Sequence, residues 1–311
     1  MEISETQEFH IHSFCTGLVL GICGRVTLGG CLKVDSFVFP SVDPPEELPP
    51  SPQNEPFVLL LSGIQCGSPS HSPLTRDMLL TFLEGRLSHP AASKVSRVVI
   101  CGGLIAENGL ESRSDALRDL DAFLLQVTAG AGIPVDILPG EKDPTTANWP
   151  QRPIHSSLIA QSSRFGLVKR TPNPSASTYE NCSLVATDGT NVRDMQNHIL
   201  VRSKEGENDV YERSTELSAL RQQLDCGHIC PTGPTTVPTM PHPLKDPMVL
   251  PSWPHVYAAG NCSKFATDLM ASPLDNSRKC RTVCVPKFCV TGEAVLVNLA
   301  NLKVELLRFE D

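Results

Sequence analysis

The chain has no basic run and no apolar run that would carry it across a membrane. Its formal net charge is −8, and its densest basic stretches are as short as "SRKCR" at 277–281. A protein that grips nucleic acid unaided displaces phosphate counterions with a basic stripe, so direct DNA binding is not its expected task. Contact with DNA through a basic partner stays open. The apolar stretch "FCTGLVLGIC" (14–23) covers about ten residues, whereas a helix needs roughly twenty to span a bilayer. The start, "MEISETQEFHIHS", is acidic where a secretory signal would be positive. The expectation is a soluble intracellular protein with no membrane partner.

The common catalytic signatures are missing as well. There is no Gly-x-Ser-x-Gly elbow and no Walker loop, and "GLVLGICG" has the wrong glycine spacing and no helix after it. The nine His residues are scattered, and His155 in "PQRPIH" and His255 in "PHVYAAG" read as structural. The 12 Cys residues do not fall into zinc-type pairs. Cys226, His228 and Cys230 lie close in sequence, as do Cys280, Cys284 and Cys289, but "KCRTVCVPKFCV" reads as a strand in which Cys is a small apolar residue. Free structural thiols are expected.

What remains is an ordinary globular balance, 40% hydrophobic and 19% charged, with 27 Pro residues marking long loops. Residues 14–42 alternate apolar and turn residues and predict three short antiparallel strands. "PSVDPPEELPPSPQNEP" (40–56) reads as a Pro-rich acidic linker. From Phe57 the pattern changes: "FVLLLSG" is a continuous apolar run, as in a strand buried on both faces. A helix over "SPLTRDMLLTFLEG" follows, with Ser72 as N-cap, Pro73 at its first position and Gly85 after its end. "VSRVVICGG" is a second strand, "SRSDALRDLDAFLLQVTAGAG" a second helix and "IPVDILPGEKD" a third strand. This β-α-β-α-β order implies a parallel sheet, with functional loops at the carboxyl ends of its strands. Residues 144–182 read as irregular. "CSLVATDGTN" then gives a strand, "STELSALRQQLDC" a helix and 231–254 a Pro-laden loop. Late strands are expected at 255–261, 280–288, 293–299 and 303–309, the last two as a hairpin. Trp149 and Trp253, each in a Pro-flanked loop, are expected to pack those loops down.

The strand ends carry the frame of a two-metal phosphoesterase without its ligands. Two divalent cations need carboxylates, imidazoles and amides, spelled Asp-x-His, Gly-Asp, Gly-Asn-His, a lone His and Gly-His-x-His. Here the frames read Gly63-Ile-Gln65, Gly102-Gly103, Gly140-Glu141-Lys142-Asp143, Asp188, and Gly260-Asn261-Cys262-Ser263. Gly63 and Gly103 have no side chain to coordinate, and Gln65, Asn261 and Ser263 are neutral. Lys142 adds a positive charge, and a unit charge about 4 Å from a dication costs roughly 2 kcal/mol in water. Glu141, Asp143 and Asp188 remain as acids that could hold a loose Mg²⁺ or Ca²⁺. The nine positions Gly63, Gln65, Gly103, Glu141, Lys142, Asp143, Asp188, Asn261 and Ser263 are therefore degenerate ligand positions, with no catalytic residue and no metal expected.

"FVLLLSG", "VVICGGLIAEN", "ALRDLDAFLLQVTAGAGIPVDILPGEKDPT", "NWPQRPIHSSL", "VATDGTNVRDM", "ICPTGPTTVP", "KDPMVLPSWPHVYAAGN" and "EAVLVNL" together resemble the B-subunit family of replicative DNA polymerases, nearest its delta branch. The resemblance implies a mixed α/β and α+β fold: a partial OB-fold segment at 1–45, a linker at 46–56 and an inactivated calcineurin-like phosphoesterase domain at 57–311. It implies a nuclear, non-catalytic scaffold without a cofactor, serving DNA replication and repair. Its implied partners are the Cys-rich carboxy-terminal domain of the polymerase delta catalytic subunit and, more weakly because the OB segment is short, the third subunit of that polymerase. Sharing with polymerase zeta is implied too, and DNA is reached only indirectly. The loops 144–182 and 231–254 are candidate contact surfaces. The competing readings are a phosphoesterase or nuclease with atypical ligands, and a shortened form that no longer joins the polymerase.

Overall fold

The central strands here alternate between two buried faces rather than between a buried and a wet one. In the computed structural model, which describes residues 11–48, 55–68, 72–107, 112–205, 208–242 and 244–310, this alternation builds two stacked sheets.

The described chain enters on an antiparallel hairpin, β1 (Gly21–Val26) and β2 (Leu32–Val38), bulged between Cys23 and Gly24. Two strands form over 14–42 where three were expected. The residues before β1 pack onto the main body instead. Cys15 is buried among the body's apolar residues. Gly17, at φ +90°, lies so close to Pro231 that a Cβ there would sit 1.8 Å from its carbonyl oxygen. Of the Pro-rich stretch, residues 49–54 lie outside the described residues. Its described part docks: Trp253 N–H donates to Asp43 O, and Leu48 packs against the core.

The body begins with β3 (Phe57–Leu61), α1 (Pro73–Leu83), β4 (Val95–Cys101), α2 (Arg113–Leu125) and β5 (Val135–Leu138). Ser72 caps α1 by accepting from Thr75 N–H, with Pro73 next, as the sequence predicts. The stretch read as irregular holds two short strands, β6 (Val168–Arg170) and β7 (Ser175–Tyr179). Next come β8 (Cys182–Thr187), α3 (Thr190–His198), a hairpin of β9 (Leu200–Glu205) and β10 (Asn208–Arg213), and α4 (Glu216–Asp225). The chain finishes with β11 (Val256–Cys262), β12 (Ala266–Ala271), β13 (Lys279–Pro286), the one-turn α5 (Phe288–Thr291), β14 (Glu293–Asn298) and β15 (Val304–Arg308).

One sheet has the order β15-β14-β3-β4-β5-β6, with β3 to β6 parallel and β14 antiparallel to β3. The other has the order β12-β13-β11-β8-β7, with β13, β11 and β8 parallel and the edge strands antiparallel. Val58, Leu60, Val99 and Cys101 of the first face Leu184, Ala186, Val256, Ala258, Val283 and Val285 of the second in one shared core. The odd-numbered neighbours in β3, Leu59 and Leu61, point outward into a second core with Leu79 and Phe82 of α1 and Leu120 and Phe123 of α2. Tyr257 and Ala259 of β11 point outward into a third, with Val192 and Met195 of α3 and Leu220 and Leu224 of α4. The result is helices, sheet, sheet, helices. Period-two alternation between two apolar faces is why β3 reads as an unbroken hydrophobic run.

All 12 Cys residues are free, and nine of them are buried; Cys280 and Cys284 fill the outer core as small apolar groups. Trp149 and Trp253 are both buried, as expected.

Candidate functional site at the strand ends

In both sheets the parallel strands end at the same side of the molecule, and their exit loops meet. Backbone bonds join them: Gly63 N–H donates to Gly102 O at 2.9 Å and Gln65 N–H to Gly103 O at 2.9 Å. Ser62 ties the two sheets. Its hydroxyl donates to Pro286 O at 2.8 Å and accepts from Asn261 N–H at 2.9 Å.

These loops surround a shallow cavity of about 210 Å³ lined by Gln65, Gly103, Glu141, Lys142, Asp188 and Asn261, six of the nine positions singled out in the sequence. Gly63 and Asp143 lie buried behind that lining, Gly63 against Asn261 and Lys287 and Asp143 against Leu104, Ile105 and Gly140. Ser263 stands apart: its N–H and hydroxyl donate to the Glu216 carboxylate at the start of α4.

The floor is closed. A Cβ on Gly63 would sit 2.8 Å from Asn261 Oδ1, and one on Gly103 would sit 2.5 Å from it and 2.9 Å from Gly63 Cα. Both glycines have φ near +60°, which disfavours any other residue. Asn261, itself at φ +51°, fills the space and locks there: its Nδ2 donates to Cys101 O at 3.2 Å and Asp188 O at 3.0 Å.

The acids are used internally. Asp143 accepts from the N–H groups of Leu104, Ile105 and Gly140 at 2.7 to 3.1 Å. Burial pushes its carboxyl above the usual range, with those N–H bonds opposing the rise. Asp188 accepts from Glu141 N–H, Asn173 Nδ2, Thr190 N–H and Thr190 Oγ1. Such a carboxylate has few lone pairs left for a cation. Lys142 is half exposed at the rim, 3.4 Å from Glu107 and 3.6 Å from Glu141, and these carboxylates raise its pKa.

Two cations at this cavity were not foreseen. Arg193 on α3 lies 3.6 Å from Glu141, and Lys287 follows β13. The sequence gives no expected element between "CSLVATDGTN" and "STELSALRQQLDC", so Arg193 and α3 pass unnoticed; only Val192 and Met195 give α3 an apolar side. Among the described residues, no group of three or more His, Cys, Asp or Glu side chains is placed to hold a metal ion.

Residues 58–267 match the family of the DNA polymerase alpha/epsilon B subunit. The chain belongs to that family. Individual relatives agree with this B-subunit assignment. The "DNA polymerase delta small subunit" of Arabidopsis thaliana is 31% identical over 95% of this chain and 67% of its own length. The protein of that name from Oryza sativa subsp. japonica is 28% identical over 96% and 69%. The "DNA polymerase delta subunit 2" of Drosophila melanogaster is 27% identical over 94% and 68%. This B-subunit chain thus spans about two thirds of the length of these relatives.

Proposed function

We propose that the chain is a non-catalytic accessory subunit of the nuclear polymerase delta complex, with a phosphoesterase frame retained as a scaffold for replication and repair. The supporting observation is similarity to relatives named delta small subunits along 94–96% of the chain. The helix–sheet–sheet–helix layering supports a calcineurin-like frame for 57–311, and the bulged β1–β2 hairpin supports a partial OB segment at 1–45 joined through 46–56. The closed glycine floor and the internally bonded Asp143 and Asp188 support reading the nine strand-end positions as lost ligands.

The partner is the Cys-rich carboxy-terminal domain of the catalytic subunit, held through a permanent interface on the order of 2,000 Å². The third subunit and polymerase zeta are further partners of the same scaffold. Co-expression tests the reading: stoichiometric co-elution of this chain with that domain is expected, and separate elution of two folded proteins overturns it. A parallel assay with Mn²⁺ or Mg²⁺ should give no metal-dependent phosphodiester cleavage; turnover abolished by Asp143→Asn or Asp188→Asn would rule out the scaffold-only reading.

A further inference from the structure

An apolar groove of about 400 Å³ runs between the β2 exit and the main body, far in sequence from the strand-end cavity. Phe37, Phe39 and Val42 form one wall, and Trp253 and Leu274 the other. Phe37 and Phe39 meet edge to face with centroids 5.8 Å apart, and Trp253 is fixed by its Nε1–H bond to Leu224 O at 3.1 Å. The walls are thus held by their own contacts. Leu274 is left 57% exposed at the lip.

One charged side chain lines this groove. Asp225, the last residue of α4, accepts no hydrogen bond and forms no ion pair among the described residues. Arg221, one turn back, is instead 3.4 Å from Asp268. Burial pushes the Asp225 carboxyl above its usual range, and the more distant charge of Arg221 only partly opposes the rise. Its position is also unfavourable for a negative charge, because the carboxyl end of a helix is the negative end of its dipole and no basic residue stands in that last turn. A half-buried carboxylate with these neighbours costs stability in the free chain unless something cationic arrives.

We infer that this groove docks an extended segment of a partner protein carrying a single Lys or Arg between apolar side chains, the cation meeting Asp225 and the apolar groups lying against Trp253 and Leu274. Charge complementarity selects this occupant: an all-apolar segment leaves Asp225 buried and unanswered, whereas a polybasic one brings charges that no second carboxylate in the lining answers.

The full chain tests it, with an array of nine-residue peptides centred on Leu-Lys-Leu and a matched array centred on Leu-norleucine-Leu. Binding is followed by Trp253 fluorescence in a Trp149→Phe background and by anisotropy of labelled peptides. The Lys peptides are expected to bind about tenfold more tightly, the size of one charged hydrogen bond. Asp225→Asn should erase that preference, and Leu274→Ser should weaken both arrays. The Asn variant should melt no lower than the parent, since it removes an unanswered charge, so loss of preference cannot be put down to unfolding. Equal binding of both arrays, binding of neither, a preference that survives Asp225→Asn, or occupation of the groove by a second copy of the chain in sedimentation each overturns the proposal.

Discussion

The amide of Asn261 occupies the space that a side chain on Gly103 would need, with its Oδ1 2.5 Å from the ideal Cβ position. The cavity floor is therefore plugged at this point by a side chain from the next sheet.

Gly103→Asp and Gly63→Asp should each cost about 2–4 kcal/mol, from left-handed backbone strain plus overpacking. Urea unfolding measures this. Neither variant should gain stability from added Mn²⁺, because Asn261 and Lys287 still crowd the position. A rise in melting temperature with metal would contradict the plugged-floor account.

Asp143 gathers three backbone N–H groups from two exit loops. Asp143→Ala leaves those donors buried without an acceptor and should cost about 3 kcal/mol or more. Asp143→Asn retains one acceptor and should cost less. If the two variants unfold at the same denaturant concentration, the carboxylate is not holding the loops together.

His255 is buried with Nδ1 accepting from Ser183 N–H at 3.0 Å and Nε2–H donating to Glu46 O at 2.8 Å. Burial depresses its pKa, helped by Arg278 and opposed by Glu46. A depressed imidazole contributes stability that is present above its unfolded pKa of about 6.5 and is lost as pH falls through the folded value. Unfolding free energy should thus drop more steeply between about pH 6.5 and 5 in the parent than in His255→Gln. Parallel slopes would mean that this imidazole does not couple to folding.

Trp253→Ala should cost about 3–5 kcal/mol and Trp253→Phe much less, because the ring fills the outer core while its N–H makes one bond to Leu224 O. Chemical denaturation followed by circular dichroism separates the two.

Much of this arrangement is legible in the sequence, and the reasons are local. β3, α1, β4, α2 and β5 each carry a strong periodic pattern or a cap, so their order and the parallel sheet follow. That their carboxyl ends converge follows from the topology, which is why Gly63, Gly103, Lys142 and Asp188 can be grouped from sequence. The sequence position of Ser263 does not disclose that its hydroxyl turns toward Glu216 rather than into the cavity. Arg193 and Lys287 escape notice because a lone cation has no pattern; only packing brings it to the cavity. β7 and β12 escape it for a related reason: "SASTY" and "ATDLMA" are antiparallel edge strands with weak apolar alternation, ordered by their neighbours β8 and β13.

β14 inserts beside β3, with Val295 opposite Leu60. The first strand of the body thus waits for one of the last to be synthesised. On the ribosome, a nascent chain that has not yet delivered residue 293 presents β3 with one bare hydrogen-bonding edge, open to mispairing. Closing that gap joins distant parts of the polypeptide, a slow kind of contact to form. The strand-end plug is assembled from both sheets, so it becomes rigid only after that late closure, and chaperone occupancy of stalled intermediates should fall sharply once β14 has emerged.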